Sequence, residues 1–248
     1  MQKILGKVAI ITGRFYTWTH SEDYNNVYYA DTKNPVNCYD MSDYEHPIPL
    51  EKVNSIEEVN NTEGSYYYTS SRIYVNMNYY TTPTTTNCAV IMSYGQAPCR
   101  ILNATSSSNW VVHFKDLIFV GAQNYAIRID KQGDDIFPYI FIENCKFLCG
   151  QFVNSGSEYV DGVSGGVRIS HARAIIKNCV ASNNMGDGFA YVDNAFGFEL
   201  DCISCFNGRS NKQNYNGSTA HNNCIVIRIN GTYFNNYGPN VADVLERL

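Results

Sequence analysis

The chain has 248 residues, a formal net charge of −5 and 20 tyrosines; it is 44 % hydrophobic and 17 % charged. That length supports one large domain, alone or with a small appendage, and crowds out two large ones. The acidic balance gives no electrostatic case for nucleic acid, whose backbone rewards a clustered positive face, and apolar runs such as VAII and CIVI fall far short of the roughly 20 residues a membrane-spanning helix needs.

The amino-terminal stretch MQKILGKVAIITGRF is interrupted by Lys7 and has no small-residue cleavage site, so it reads poorly as a signal peptide. Its LGKVAIITGR portion imitates the first strand and turn of a dinucleotide-binding fold. That chemistry needs glycines where the backbone approaches a pyrophosphate at a helix start, and here the continuation is the bulky RFYTWTHSEDY with no amphipathic helix. Further on, PIPLEKVNSIEEVNNTEG is polar with one short helical turn, and EGSYYYTSSRIYVNMNYY reads as strand, turn, strand. Residues 1–87 are therefore expected to form an amino-terminal cap or small β-rich module, which would cover the open core at the end of a repeat array.

From about residue 88 to 248 no segment sustains helical periodicity, and one phrase recurs: VVHFKDLIFVGA, YIFIENCKFLCG, AIIKNCVASNNMG, FGFELDCISCFNG and VIRINGTYFNNYG. Each is an apolar strand, then Asn or Asp, usually Cys or a small residue, and a second strand ending at glycine. The markers Asp116, Asn144, Asn178, Asp201 and Asn230 are spaced 28, 34, 23 and 29 residues apart. A variable period in the range of about 20–50 residues, built from strands too short to bury a face alone, predicts a parallel β-solenoid.

In that arrangement Asn144 and Asn178 stack at a bend, where their amides can bond along the stack, and Cys145, Cys179 and Cys202 follow as a ladder of buried thiols. Nine cysteines with a single CxxC, Cys202 and Cys205, favour neither a full disulfide set nor a zinc site. Which strand positions point inward stays open, because Ile142 and Ile176 suggest one phase while Phe198, Leu200, Ile227 and Ile229 suggest the other. Glu199 and Arg228 fall at equivalent positions of adjacent repeats and read as a surface ion pair; Asp243 reads as part of a turn.

The phrases IFIENCKFLCG, AIIKNCVASNNMGDGF and FELDCISCFNG, followed by NGSTAHNN and GPNVADV, resemble the right-handed parallel β-helix superfamily that contains pectate-lyase-like enzymes, alginate epimerases and phage tailspikes. The resemblance covers roughly residues 64 to 244. It implies an all-β, right-handed parallel β-helix that recognises a polysaccharide or cell-surface glycan along one face, often an acidic one. It also implies an extracellular, cell-surface or virion location and, on the tailspike pattern, a homotrimer. It does not decide whether a given member is catalytic.

Aligning GDGF with AHNN of the next repeat brings Asp187 into register with His221, about 5 Å away, and a carboxylate that orients an imidazole prepares a general base. Gly186 and Gly188 are expected to supply unusual backbone angles. The competing reading is a plain turn. The insertion RSNKQNYNGSTAH adds Arg209, Lys212 and Tyr215 to His221, a set able to bind a uronate carboxylate and exchange protons; QFVNSGSEYVDGVSGG adds Glu158, Tyr159 and Asp161 near the same corner.

Two mechanisms fit. In a lyase, a cation neutralises the carboxylate, His221 removes the adjacent proton, and Tyr215 or Tyr191 protonates the leaving oxygen. In a glycosidase, Asp161 and Asp187 flank the bond. Calcium, used by some β-helix lyases, has no run of neighbouring aspartates to hold it here, and no metal ligand set is assigned. The expectation is a carbohydrate-active protein, a lyase or glycosidase, with a non-catalytic glycan-binding adhesin or virion component as the alternative. Surfaces rich in Tyr, Asn and Ser suit sugars, because rings cover apolar sugar faces and amides satisfy hydroxyls.

Overall fold

The computed structural model describes residues 8–11, 13–33, 35–92, 99–103, 111–131, 138–150, 154–155, 158–159, 165–209 and 215–243. The chain divides into two compact units, one of Thr12–Gly95 and one of Met1–Ile11 with Gln96–Leu248. The boundary expected at 87/88 moves for a pairing reason. Cys88–Met92 is a strand of the smaller unit, antiparallel to Pro35–Asp40 and Arg14–Phe15, whereas Val8–Ile11 pairs in parallel with Leu117–Val120 of the larger one.

The smaller unit holds two sheets of short strands and the only α-helix among the described residues, Ile56–Asn61. The helix starts where the sequence signals it: the Ser55 hydroxyl accepts the Glu58 amide at 3.1 Å, and two glutamates occupy the first turn. Ser65–Tyr68 and Arg72–Asn76 form the expected antiparallel pair. Val59 of the helix packs with Val27 and Val53, while Tyr66, Ile73, Val75 and Val90 anchor a second cluster.

The larger unit is built on three parallel sheets that the chain visits in turn. Sheet one contains Val111–Lys115, Tyr139–Glu143, Arg173–Lys177, Phe196–Leu200 and Ile225–Ile229. Sheet two contains Val8–Ile11, Leu117–Val120, Lys146–Leu148, Val180–Ser182, Ile203–Cys205 and Thr232–Phe234. Sheet three contains Cys99–Asn103, Tyr125–Lys131, Gly165–Ser170, Asp187–Val192, Ser218–Ala220 and Val241–Asp243. One pass through the sheets is called a rung. The inner faces share one core that includes Ile142, Ile176, Phe119, Phe147, Val167 and Phe189.

Each Asn/Asp marker sits at the bend from sheet one to sheet two with φ between 51° and 56°. This left-handed conformation is costly for most residues and tolerated best by Asn, Asp and Gly. The amides bond along the stack: Asn178 donates to Asn144 at 2.7 Å, Asn144 to Asp116 at 3.1 Å, and Asn230 to Asp201 at 2.7 Å. Cys145, Cys179 and Cys202 follow as buried free thiols, each donating to the carbonyl two residues earlier.

The bend from sheet two to sheet three carries a second, internal ladder. Asn184, Asn207 and Asn236 each follow a residue of positive φ. Asn184 donates to Asn207 at 2.8 Å and Asn207 to Asn236 at 3.0 Å, while the Asn184 carbonyl accepts the Gly150 amide at 2.7 Å. Each Nδ2 also reaches a strand carbonyl, of Phe147, Ala181 and Ser204 respectively. Asn184 and Asn207 are buried and have no water to fall back on, so their part of the ladder must be complete.

In sheet one the inner column runs Phe114, Ile142, Ile176, then Glu199 and Arg228. The phase of Ile142 and Ile176 therefore holds to the end, and the residues expected to form a surface ion pair point inward. Glu199 is fully buried and accepts from Ser218 Oγ at 2.6 Å and from the Tyr233 hydroxyl. Burial raises its carboxyl pKa, opposed by those hydroxyls and by Arg228. Arg228 bonds Ser218 at 3.0 Å and forks onto Asp243 with two 3.0 Å bonds, so Asp243 is a strand residue pairing a cation rather than part of a turn.

Candidate functional site

Sheet three opens with two adjacent columns. In one, Ala126 joins the core, and a Cβ on Gly166 or Gly188 would press into Phe147, Ala181 or Ser204 of sheet two. This column of small residues faces the core and lets sheets two and three close together. Gly188 has no positive φ; it is needed because a Cβ there would lie 2.0 Å from Ser204 Oγ and 2.5 Å from the Gly217 carbonyl. The expectation of unusual backbone angles is thus replaced by one of space.

The other column runs Tyr125, Gly165, Asp187, with Asn216 two positions before the paired Ser218–Ala220. The column lies two positions before the core residues Ile127, Val167 and Phe189, at the start of sheet three, and its side chains are buried: Tyr125 is 3 % and Asp187 8 % exposed. Gly165 leaves a gap between Tyr125 and Asp187: a Cβ there would meet Tyr125 Cε1 at 2.8 Å. The phenol ring leans across the gap.

Asp187 Oδ1 accepts the Asn216 backbone amide at 2.7 Å and its side-chain amide at 3.4 Å. Burial raises its pKa to about 7, with the Asn216 bonds pulling the other way. Burial also raises the Tyr125 pKa, helped by the charges of Asp187 and Tyr215 and opposed by Arg168 and Arg128. The two arginines occupy paired positions on the same sheet; Arg128 pairs with Asp130, and Arg168 lies 3.3 Å from Asp130 and 3.7 Å from Asp193. Among the described residues the buried Asn216 Oδ1 has no hydrogen-bond partner. A carboxyl of pKa near 7 holds a proton half the time at neutral pH, as a general acid must.

The structure brings together only part of the predicted set. Arg209 follows Gly208, whose amide bonds the Asn184 and Gly186 carbonyls, and the Tyr215 carbonyl lies beside Gly208; the Tyr215 phenol acts on Tyr125 and so reaches this corner, whereas the Arg209 guanidinium acts on Cys149. His221 does not. Phe189 pairs with Ser218 and Tyr191 with Ala220, which places Asn216 rather than His221 opposite Asp187. His221 lies five residues further along, about 16 Å at strand rise, where its Nε2 meets Thr219 Oγ1 at 2.9 Å. The expected acid–imidazole pair is therefore not formed.

Tyr191 is fully buried inside the unit, packed over Gly197, and cannot reach a substrate on the outer face. Asp161 and Lys212 lie outside the described residues. Glu158 and Tyr159 form a two-residue strand paired with Asn154–Ser155, and their side chains also lie outside what is described. Among the described residues no group of three or more His, Cys, Asp or Glu is placed to hold a metal ion, and no helix is long and apolar enough to cross a membrane.

Sequence reasoning missed Tyr125, Arg128, Arg168, Asp130 and Asn216. Two signals carry them. The pair Arg-Ile recurs at 100–101, 128–129 and 168–169, and these pairs stand in register across sheet three. The dipeptides Asp187-Gly188 and Asn216-Gly217 mark the same point of successive rungs. No protein-family model, curated protein or solved structure matches the chain.

Proposed function

We propose that the chain is a right-handed parallel β-helix protein of extracellular, cell-surface or virion location that binds a polysaccharide at the start of sheet three and cleaves it there as a lyase or glycosidase. The observation that supports this reading is Asp187, a nearly sealed carboxyl whose pKa burial raises to about 7, held by Asn216 and set beside the phenol of Tyr125. A plain turn needs none of these features. Asp187 donates the proton that the leaving oxygen takes up, and Asn216 fixes its orientation. His221 and Tyr191 take no part.

The test incubates the purified chain with a panel of acidic and neutral polysaccharides, following new reducing ends and the absorbance near 230 nm of unsaturated products. Cleavage should fall by at least about 100-fold in Asp187→Asn, with binding retained. A second reading, a glycan-binding adhesin or virion component without catalysis, is favoured by one observation: Asp187 is nearly sealed and has no imidazole partner. Binding without cleavage selects it, and neither binding nor cleavage defeats both.

A further inference from the structure

The last two rungs of sheet one turn the usual alternation inside out. Each of the first three rungs carries charge on its outer face, at Lys115, at Glu143, and at Arg173 with Lys177. The next two carry none. Their outward residues are Phe196, Phe198 and Leu200, then Ile225, Ile227 and Ile229, and the pairing stacks them as a two-by-three array. Ile225, Ile227 and Ile229 are 60 %, 40 % and 52 % exposed.

This exposure is not a slipped register. Moving Ile225–Ile229 by one residue would bury the isoleucines, but it would also expel Arg228 from its bonds to Ser218 and Asp243. The strand is pinned at its end as well, where Asn230 donates to Asp201 and the Asp201 amide bonds the Ile229 carbonyl at 3.0 Å. The chain thus buries a carboxylate and a guanidinium while presenting six apolar side chains to the outside, an arrangement unfavourable for an isolated surface.

We infer that this face is a self-association surface and that its occupant is a second copy of the chain. Around the adjoining corner Ile203, Phe206 and Phe234 extend the apolar surface. The exposed isoleucines and phenylalanines offer roughly 500 Å², toward the top of the ~300–600 Å² range of the largest patch on a monomer, and the half-buried Phe196, Phe198 and Leu200 add to it toward the ~800 Å² each partner of a stable complex contributes. The array contains no charge or hydrogen-bonding side chain, so it does not select a polar or charged partner. A flat sheet face packs on its own copy at ordinary sheet-to-sheet spacing, isoleucine against isoleucine, leaving no polar side chain of the array unpaired.

Sedimentation velocity of the full chain from about 1 to about 100 μM tests this. The wild type should associate with rising concentration. Ile227→Lys, at the centre of the terminal strand, should raise the dissociation constant at least about 100-fold with unchanged far-UV circular dichroism, and Val111→Lys on the first rung should leave it unmoved. If Ile227→Lys loses its circular dichroism, Ile225→Lys at the array's edge takes its place. A wild type that stays monomeric throughout, including one that instead binds glycan or lipid vesicles through this face, overturns the inference. So does association that neither lysine variant at 225 or 227 weakens.

Discussion

Asp187→Asn should make the protein more stable, and increasingly so as the pH rises. The substitution keeps the size of the side chain and an oxygen able to accept the Asn216 amide, and it removes one ionisable group. In the folded chain the carboxyl pKa is raised by burial from the ordinary 3.8 to about 7. The native state then binds the proton more tightly than the unfolded chain, so this group's contribution is most favourable below about pH 4, declines as the pH rises toward 7, and is constant above that. At about 1.4 kcal/mol for each pH unit between the two pKa values, the ionised carboxyl costs on the order of 4 kcal/mol above neutrality. Between pH 5 and 8 the part still to be lost is about 2 to 3 kcal/mol. Burial raises the pKa of the neighbouring Tyr125 phenol, which stays neutral across that range and so does not confound the measurement. Urea unfolding of wild type and variant at pH 5, 6, 7 and 8 measures the difference directly. A stability difference constant to within about 0.5 kcal/mol over that range would show that Asp187 titrates as an ordinary surface carboxylate, and the reasoning from its burial would fail.

Four further outcomes follow from the geometry. Asn207→Ala takes the side-chain acceptor from the Asn184 backbone amide, one of two partners from Asn184 Nδ2 and the Asn207 donor from the Ala181 carbonyl, and should cost about 2–4 kcal/mol in urea unfolding. Asn178→Gly, at the outer bend, keeps the positive φ and loses one exposed bond, so it should cost under about 1 kcal/mol; equal effects would mean the internal ladder is not special. Gly188→Ala should fail to accumulate as folded protein by circular dichroism, and adding Ser204→Ala should rescue it only in part, because the Gly217 carbonyl still blocks the new Cβ. Thiol titration in denaturant should find nine free cysteines, with Cys99 and Cys224, the two that are not fully buried, reacting first in the native chain.

The repeat was legible because its markers answer a backbone requirement. A bend that needs positive φ at every rung admits few residue types, so Asp116, Asn144, Asn178, Asp201 and Asn230 stand out even though the spacing varies. The internal ladder was equally present in the letters, as the second-ladder Asn after each strand in SNN, CFN and FNN. It was harder to see because the preceding positive-φ position is filled by Asn183, Phe206 and Asn235 without a common chemistry. The domain boundary was misplaced for a related reason. Strand pairing joins residues distant in sequence, and nothing local to Cys88–Met92 says that its partner is Pro35–Asp40.

The candidate site was half legible, and the missing half turns on register. Asp187 was picked out by its composition, but its partner was chosen by matching GDGF to AHNN, which places the next rung five residues too late. Two-residue parity would have given the correct answer: Asp-Gly-Phe at 187–189 and Asn-Gly-Ser at 216–218 share the glycine that the narrow gap between sheets two and three demands. The glycine is therefore the reference point, and the residues before it, Asp187 and Asn216, are the ones brought together. By that rule Gly166 assigns Gly165 to the same column, and the vacancy there is what admits the ring of Tyr125 toward Asp187. The same lesson explains Glu199. Hydrophobic patterning placed it outside, but the register inherited from Ile142 and Ile176 holds it inside, because a strand in the middle of a stack cannot change phase without breaking the bends on both sides of it.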